Sequence, residues 1–197
     1  FPTGEKVDVY PQMNLLAFEI VINTLFNIKV PTDTRNELSR FITETQAFVM
    51  KDIRQPHKSW WFQVSGEVGR NLKKAEGARN IVRSIIRTPK NVGQKFNDLL
   101  DMLLDARYED TGLPMDENQV IDEILILLIA GHETTANALS WTLFLLSRHP
   151  DVQQKLRQAT LGLSVQESAT NELLNAVIHE SMRLYPPAWI SDRVALN

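Results

Sequence analysis

Apolar residues recur along most of this chain three or four positions apart, the spacing of one face of a helix, so the pattern predicts helix after helix. Met13, Leu16, Ala17, Ile20, Val21, Thr24 and Leu25 give a first helix ending near Phe26. A loop, "VPTDTRNE", follows, and Thr34 with Glu37 three residues on reads as a capping box. Behind it Leu38, Phe41, Ile42, Thr45, Phe48, Val49 and Ile53 form a second stripe, stopped by Pro56. "HKSWWFQVSGEVG" reads as a loop with a heavy aromatic load, Trp60, Trp61 and Phe62. Those rings either pack onto neighbouring helices, the favoured reading, or line an entrance for an apolar ligand. The next helix spans about Glu67 to Arg87, basic on an outer face expected to be solvated, with Pro89 ending it.

Phe96, Leu99, Leu100, Leu103 and Leu104 mark a shorter helix closed by "EDTGLP". The longest runs from near Asp116 to about Ser147, and about 30 residues at 1.5 Å each reach about 45 Å. Pro150 suits the first turn of another helix, and the last covers roughly Asn171 to Leu184 before Pro186 and Pro187. A β-type pattern appears only after Ala188. The fold class is therefore mainly α, with one short β segment at the C-terminal end. No repeat, low-complexity tract or linker interrupts it.

Composition narrows the function. The 197 residues are 43% hydrophobic and 23% charged, which excludes disordered and collagen-like classes. A net charge of −3 gives no electrostatic argument for nucleic acid or an anionic membrane surface. With no cysteine there is no disulfide, zinc-thiolate site or thiol nucleophile in these residues. No apolar run reaches the roughly 18 residues that span a bilayer. The expected location is cytoplasmic, leaving open an anchor upstream of Phe1. The start at Phe1 and the end in "ISDRVALN", where an extended segment begins, are expected of an internal piece of a longer protein.

Inside the longest helix stands "IAGHETTANALSW". The unbroken apolar run from Ile124 to Ala130 predicts a segment buried all round. A glycine there costs about 1 kcal/mol against alanine, and a buried carboxylate costs more unless paired. "HETTA" opens like the zinc-peptidase pattern, but Ala136 stands where the second histidine is needed. Facing Glu-x-x-His pairs, a phosphate loop and a G-x-S-x-G elbow are all absent. His57, His149 and His179 read as surface or turn residues, and His132 as a hydrogen-bonded core histidine. Glu133 and Thr134 remain. An acid beside an alcohol in an apolar setting can carry protons into a site that excludes water. Equally, Thr134 can bond the Ala130 carbonyl in a self-satisfied polar knot. The residues alone leave both open. Gly131 would let a bulky group approach the backbone. In "HESMRLYPP", Glu180 and Arg183 share a helix face, and their apolar flanks suggest a buried pair.

In that order and separation, A-G-x-Glu-Thr-Thr in a long helix, a "HPDV" turn and Glu-x-x-Arg before Pro-Pro resemble cytochrome P-450, the heme-thiolate monooxygenases. The wording resembles bacterial, soluble-type members. The resemblance covers essentially the whole chain and implies that residues 1–197 are the central part of a single domain, the helical portion of the P-450 fold. It implies heme b with its iron as cofactor, and dioxygen, a small apolar organic substrate and an electron-donating redox partner as partners, with no nucleic acid. Ala130 and Gly131 would lie against the distal face of the heme. Glu133 and Thr134 would be the pair delivering protons for dioxygen cleavage. Glu180 and Arg183 would be a structural ion pair, and Arg193 would hold a heme propionate. Residues 188–191 would edge the substrate pocket, roofed by the helices around Phe48 and Leu72 with the Trp60–Phe62 loop.

The pattern departs from the family in ways that matter. The thiolate that ligates iron in the family, and favours O–O cleavage, comes from a cysteine loop beyond the Glu-x-x-Arg helix, and these residues hold no cysteine. The early helix giving other propionate contacts is also missing, and the link from Gln158 to Asn171 is short. The expectation is an internal fragment of a monooxygenase, inactive alone. The competing class is a non-catalytic helical module that never holds heme.

Overall fold

A computed structural model describes residues 5–26, 30–88 and 98–188. Among these, the chain is helical almost throughout: α1 (Tyr10–Phe26), α2 (Thr32–Arg54), a short 3-10 turn, α3 (Ser59–Val64), α4 (Glu67–Ile86), α5 (Leu99–Asp105), α6 (Glu117–Arg148), α7 (Pro150–Thr160), α8 (Val165–Ala169) and α9 (Glu172–Leu184). The only extended pairing among them is an isolated bridge between Arg107 and Pro114. Pro89, Phe96, the β segment after Ala188 and Arg193 lie outside the described residues.

Two compact units divide the chain, one of Phe18–Ala130 and one of Phe1–Ala17 with Gly131–Asn197. In the first, Phe18, Ile22 and Phe26 of α1 pack with Leu38 of α2, Val82 of α4, Leu100 of α5 and Ile121, Ile124 and Leu128 of α6. Burying side chains of this size stabilises by roughly 1.5–3 kcal/mol each. α2 lies close on α4. A Cβ built on Gly77 would stand 2.7 Å from Phe41 Cε2, so that approach needs glycine. The basic face of α4 is more than solvated: Lys74 pairs with Glu44 at 2.7 Å, Arg79 with Asp122, and Arg87 with Glu117 through two bonds of 2.7 and 2.8 Å. The Arg87 guanidinium holds the Glu117 carboxyl below its ordinary range.

In the second unit α6 continues to Arg148. Pro150 occupies the first turn of α7 as expected. The link from Gln158 to Asn171 contains α8, opened by a Ser164–Glu167 capping box. The Asn171 side chain caps α9, accepting from Leu174 N–H at 3.0 Å, and donates to the Ala159 carbonyl at 3.2 Å. Past α9, Tyr185 stacks flat on Trp141, with ring centres 3.9 Å apart.

Several expectations change. α2 starts three residues early, with Pro31 rather than Thr34 as its N-cap, so Thr34 and Glu37 lie inside the helix and no capping box forms there. Fixed-φ Pro31, extended at ψ 143°, sets the entry before Thr34 is reached. The tryptophan segment is helical rather than a loop. Of its three rings only Phe62 packs inward at 2% exposure, while Trp60 and Trp61 stand 66% and 53% exposed. Nor is α6 buried all round: Val120, Ile121, Ile124, Leu128, His132, Ala136 and Thr142 form one buried stripe, while Ile126 is 58% exposed. An apolar run is indifferent to which face turns inward, so the run alone cannot show that one face stays out.

Candidate functional site

The unusual segment of α6 keeps its helix despite its polar residues, because several of them bond backward. Thr135 Oγ1 donates to the Gly131 carbonyl at 2.6 Å, Ser140 to Ala136 at 2.7 Å and Thr142 to Ala138 at 2.7 Å. Such i−4 bonds satisfy hydroxyls within the helix. His132 falls on the buried stripe and is 1% exposed, as a core histidine should be. His57, His149 and His179 are exposed.

Thr134 and Thr135 lie on the wall of a hollow of about 820 Å³. The rest of the wall is apolar except for Thr142: Met13 and Leu16 from α1, Ala138, Leu139, Leu143 and Leu146 from α6, Leu174, Ile178 and Met182 from α9, and Pro186, Pro187 and Ala188 beyond it. Successive helix residues diverge by about 100°, so Glu133 does not share Thr134's direction; it is half-buried and absent from the wall. Its carboxylate acts instead on Tyr10. Burial raises the Tyr10 phenol above its ordinary value, Glu133 raises it further, and the bond Asn14 Nδ2 donates to the phenol oxygen at 3.4 Å offsets part of this.

Glu180 and Arg183 form the expected pair, bidentate at 2.7 Å in both bonds, and the arginine holds the carboxyl below its usual range. The expected burial is not found. The side chains are 56% and 66% exposed. Leu173, Leu174, Val177, Ile178 and the buried Ser181 take the inward face of α9, and the pair stands exposed beside it, with Glu180 at a hollow it shares with Val177 and Ser181. Apolar neighbours in sequence do not bury a residue that the helical period turns outward.

Of the residues expected to act, the structure brings Thr134 to the hollow. Ala130, exposed, and Gly131, half-buried, stand on the preceding turn and are not part of its wall. Arg193 is outside the described residues. Thr135 was missed, although the same doubled threonine announced it. Tyr10 was missed because nothing local links it to a residue on α6.

The family model for cytochrome P-450 matches residues 2–197. The chain belongs to the cytochrome P-450 family. It is 30% identical over 198 residues to cyclooctat-9-en-7-ol 5-monooxygenase of Streptomyces melanosporofaciens, covering 97% of this chain and 43% of that one. It is 36% identical over 193 residues to a self-sufficient cytochrome P-450 monooxygenase of Aspergillus niger, covering 93% of this chain and 18% of the relative. A cyanobacterial P-450 solved with retinoic acid bound superposes with a TM-score of 0.71 at 26% identity, over 94% of this chain and 41% of that one. The chain thus spans less than half the length of each, and its fold is the mainly helical portion of the P-450 fold.

Heme iron is the cofactor of P-450 proteins. The hollow fits one side of such a group, since a flat macrocycle needs a broad apolar wall with few polar groups. The iron ligand is another matter. The chain has no cysteine, and no cluster of His, Asp and Glu among the described residues could hold a metal ion.

Proposed function

We propose that residues 1–197 are the central part of a single P-450 domain, and that they supply the distal wall and the proton-delivery residues of a cytoplasmic, heme-dependent monooxygenase. The substrate is a small apolar organic molecule, and an electron-donating partner supplies the electrons. The observation carrying this reading is Thr134, which lines a mostly apolar wall next in sequence to the half-buried Glu133.

Bound heme supplies the redox chemistry of dioxygen cleavage, in which one oxygen atom enters the substrate and the other leaves as water. The residues of this chain do the rest. Ala130 and Gly131 leave room against the backbone because neither projects beyond a methyl group. With the heme bound, such a wall would exclude bulk water, so that protons would enter only where a polar group admits them. The Thr134 hydroxyl can accept one hydrogen bond while donating another, and so can hold a water or pass a proton at its Oγ1. Glu133 is the ionisable group nearest in sequence. Because its direction diverges from that of Thr134, the proton crosses between them over water, not by direct contact. Thr135, on the same wall, donates its hydroxyl to the Gly131 carbonyl. Glu180 and Arg183 hold structure on α9, and Arg193 receives a propionate. The test is the coupling of reductant to product in a Thr134→Val variant.

A further inference from the structure

Ser181 of α9 differs from the hydroxyls that α6 keeps satisfied. Thr135, Ser140 and Thr142 each donate to the carbonyl four residues back, a bond that serves the group within its own helix. Ser181 makes no such bond. It is 2% exposed, and its Oγ is buried with no hydrogen-bond partner among the described residues. A buried polar atom left unpaired is costly, so one that persists calls for a partner from outside the chain.

Ser181 lines a hollow of about 370 Å³ between the end of α6, α7 and α9, all inside one compact unit. Small-molecule sites begin at about this size. Most of the wall is apolar, with Leu145, Val152 and Val177 half-buried along it. Its other polar groups are already served. Thr142 donates to Ala138, Glu180 is held by both bonds of Arg183, and His149 is exposed to water. Burial is graded across the hollow: Thr142 and Ser181 are buried, whereas Ala176, Glu180 and Leu184 are exposed, so Ser181 stands at the inner end and solvent meets the mouth. Only Thr142 and Leu146 are shared with the larger hollow where Thr134 stands. The chemistry proposed above leaves this smaller one unused.

We propose that the hollow between α6, α7 and α9 is a second binding site, for a small neutral molecule with an apolar body and one hydroxyl group that bonds Ser181 Oγ. The class is that of phenols and alicyclic alcohols. The apolar body covers Val152 and Val177, removing their surface from water. A hydroxyl both donates and accepts, so it can meet Ser181 in either sense. The carboxylate on the wall is matched by Arg183, so nothing there calls for an ion. A purely apolar molecule would leave Ser181 unpaired. Water alone suits the inner end poorly, because a buried water typically makes about three hydrogen bonds and one uncommitted hydroxyl faces it.

The test titrates the isotope-labelled 197-residue chain with p-cresol and, separately, with toluene, which lacks only the hydroxyl. Amide shifts in nuclear magnetic resonance and the melting temperature are read. Expected are saturable shifts from p-cresol in residues 142–149 and 176–184, the segments that form the wall. Ser181→Ala should weaken p-cresol roughly three- to tenfold, the worth of one hydrogen bond, and leave toluene unweakened. Without probe, that variant should melt no lower than wild type, because it removes an unpaired group. Ala176→Trp, at the exposed mouth, should block both probes. Shifts that never saturate, or that fall only on the larger hollow, overturn the proposal. So does Ser181→Ala weakening both probes equally or neither, or Ala176→Trp leaving binding intact. A lower melting temperature in Ser181→Ala without probe would mean that water already serves the hydroxyl, and overturns it too. Shifts of the same amides with protein concentration alone would give the hollow to a second copy instead.

Discussion

Replacing Gly77 by alanine sets two opposing effects against each other where α2 meets α4. In an open helix the change stabilises by about 1 kcal/mol, because glycine loses more backbone freedom on folding. Here the new methyl would lie 2.7 Å from Phe41 Cε2, 3.1 Å from Cζ and 3.2 Å from Cδ2. Carbon atoms are most comfortable about 3.5–4.0 Å apart, so three ring atoms are encroached on at once. The ring packs against a core that includes Ile42 and Ala78 and borders a hollow of about 150 Å³, and it must shift for the methyl to enter. Overpacking of this kind typically costs about 1–3 kcal/mol. The expected net result is a loss of up to about 2 kcal/mol. Urea unfolding of the 197-residue chain, followed by circular dichroism, measures it. Repeating the change in a Phe41→Leu background should recover the helix gain, leaving a coupling of at least about 0.5 kcal/mol between the two positions. If alanine at position 77 raises stability equally in both backgrounds, the close approach of the helices is refuted.

Burial is the larger cause of the raised Tyr10 phenol and Glu133 the second, so Glu133→Gln should lower its pKa yet leave it above the ordinary 10.0. Ultraviolet titration, with Tyr10→Phe as the difference control, reads this; an unmoved phenol would separate the two groups. The raised value means that this stabilising effect holds below the ordinary pKa and is lost as pH rises through the folded one. For Glu180 the sign is reversed: its lowered carboxyl stabilises above the ordinary carboxylate value of 4.5 and stops doing so as pH falls through the folded value. Glu180→Gln should therefore melt slightly below wild type at neutral pH and converge with it in acid or salt, whereas a large, salt-independent deficit would restore the buried pair. Mixed with heme, reduced and exposed to carbon monoxide, the 197-residue chain should give no thiolate-type band, because it contains no cysteine; such a band would contradict the assignment of ligands.

Much of the helical order is legible because prolines and periodicity act locally. Pro56 and Pro150 bound helices where they were expected, and Asn171 caps α9 at the position where that helix was read to start. What sequence could not give depends on partners. Thr34 with Glu37 has the letters of a capping box, but Pro31 enters the helix first. Trp60 and Trp61 read as loop because no stripe of their own shows a direction, yet six residues suffice for a turn and a half once Phe62 finds Phe48. At the site, the doubled threonine could be read as chemistry or as packing, and in the fold both side chains line the hollow while Thr135 also bonds its own helix. The exposure of Glu180 and Arg183 follows from the rotation of α9, which flanking residue types do not encode.

The central claim is that Thr134 passes protons and is not mere packing. In a polypeptide joining these residues to a heme-ligating cysteine, Thr134→Val keeps the β-branch and removes only the hydroxyl. Reductant consumed, hydrogen peroxide released and product formed are measured together, beside the melting temperature. The account predicts unchanged heme content and melting, with reductant diverted into peroxide while product falls. Unchanged product per reductant, with a lower melting temperature, would contradict it and leave Thr134 a structural residue.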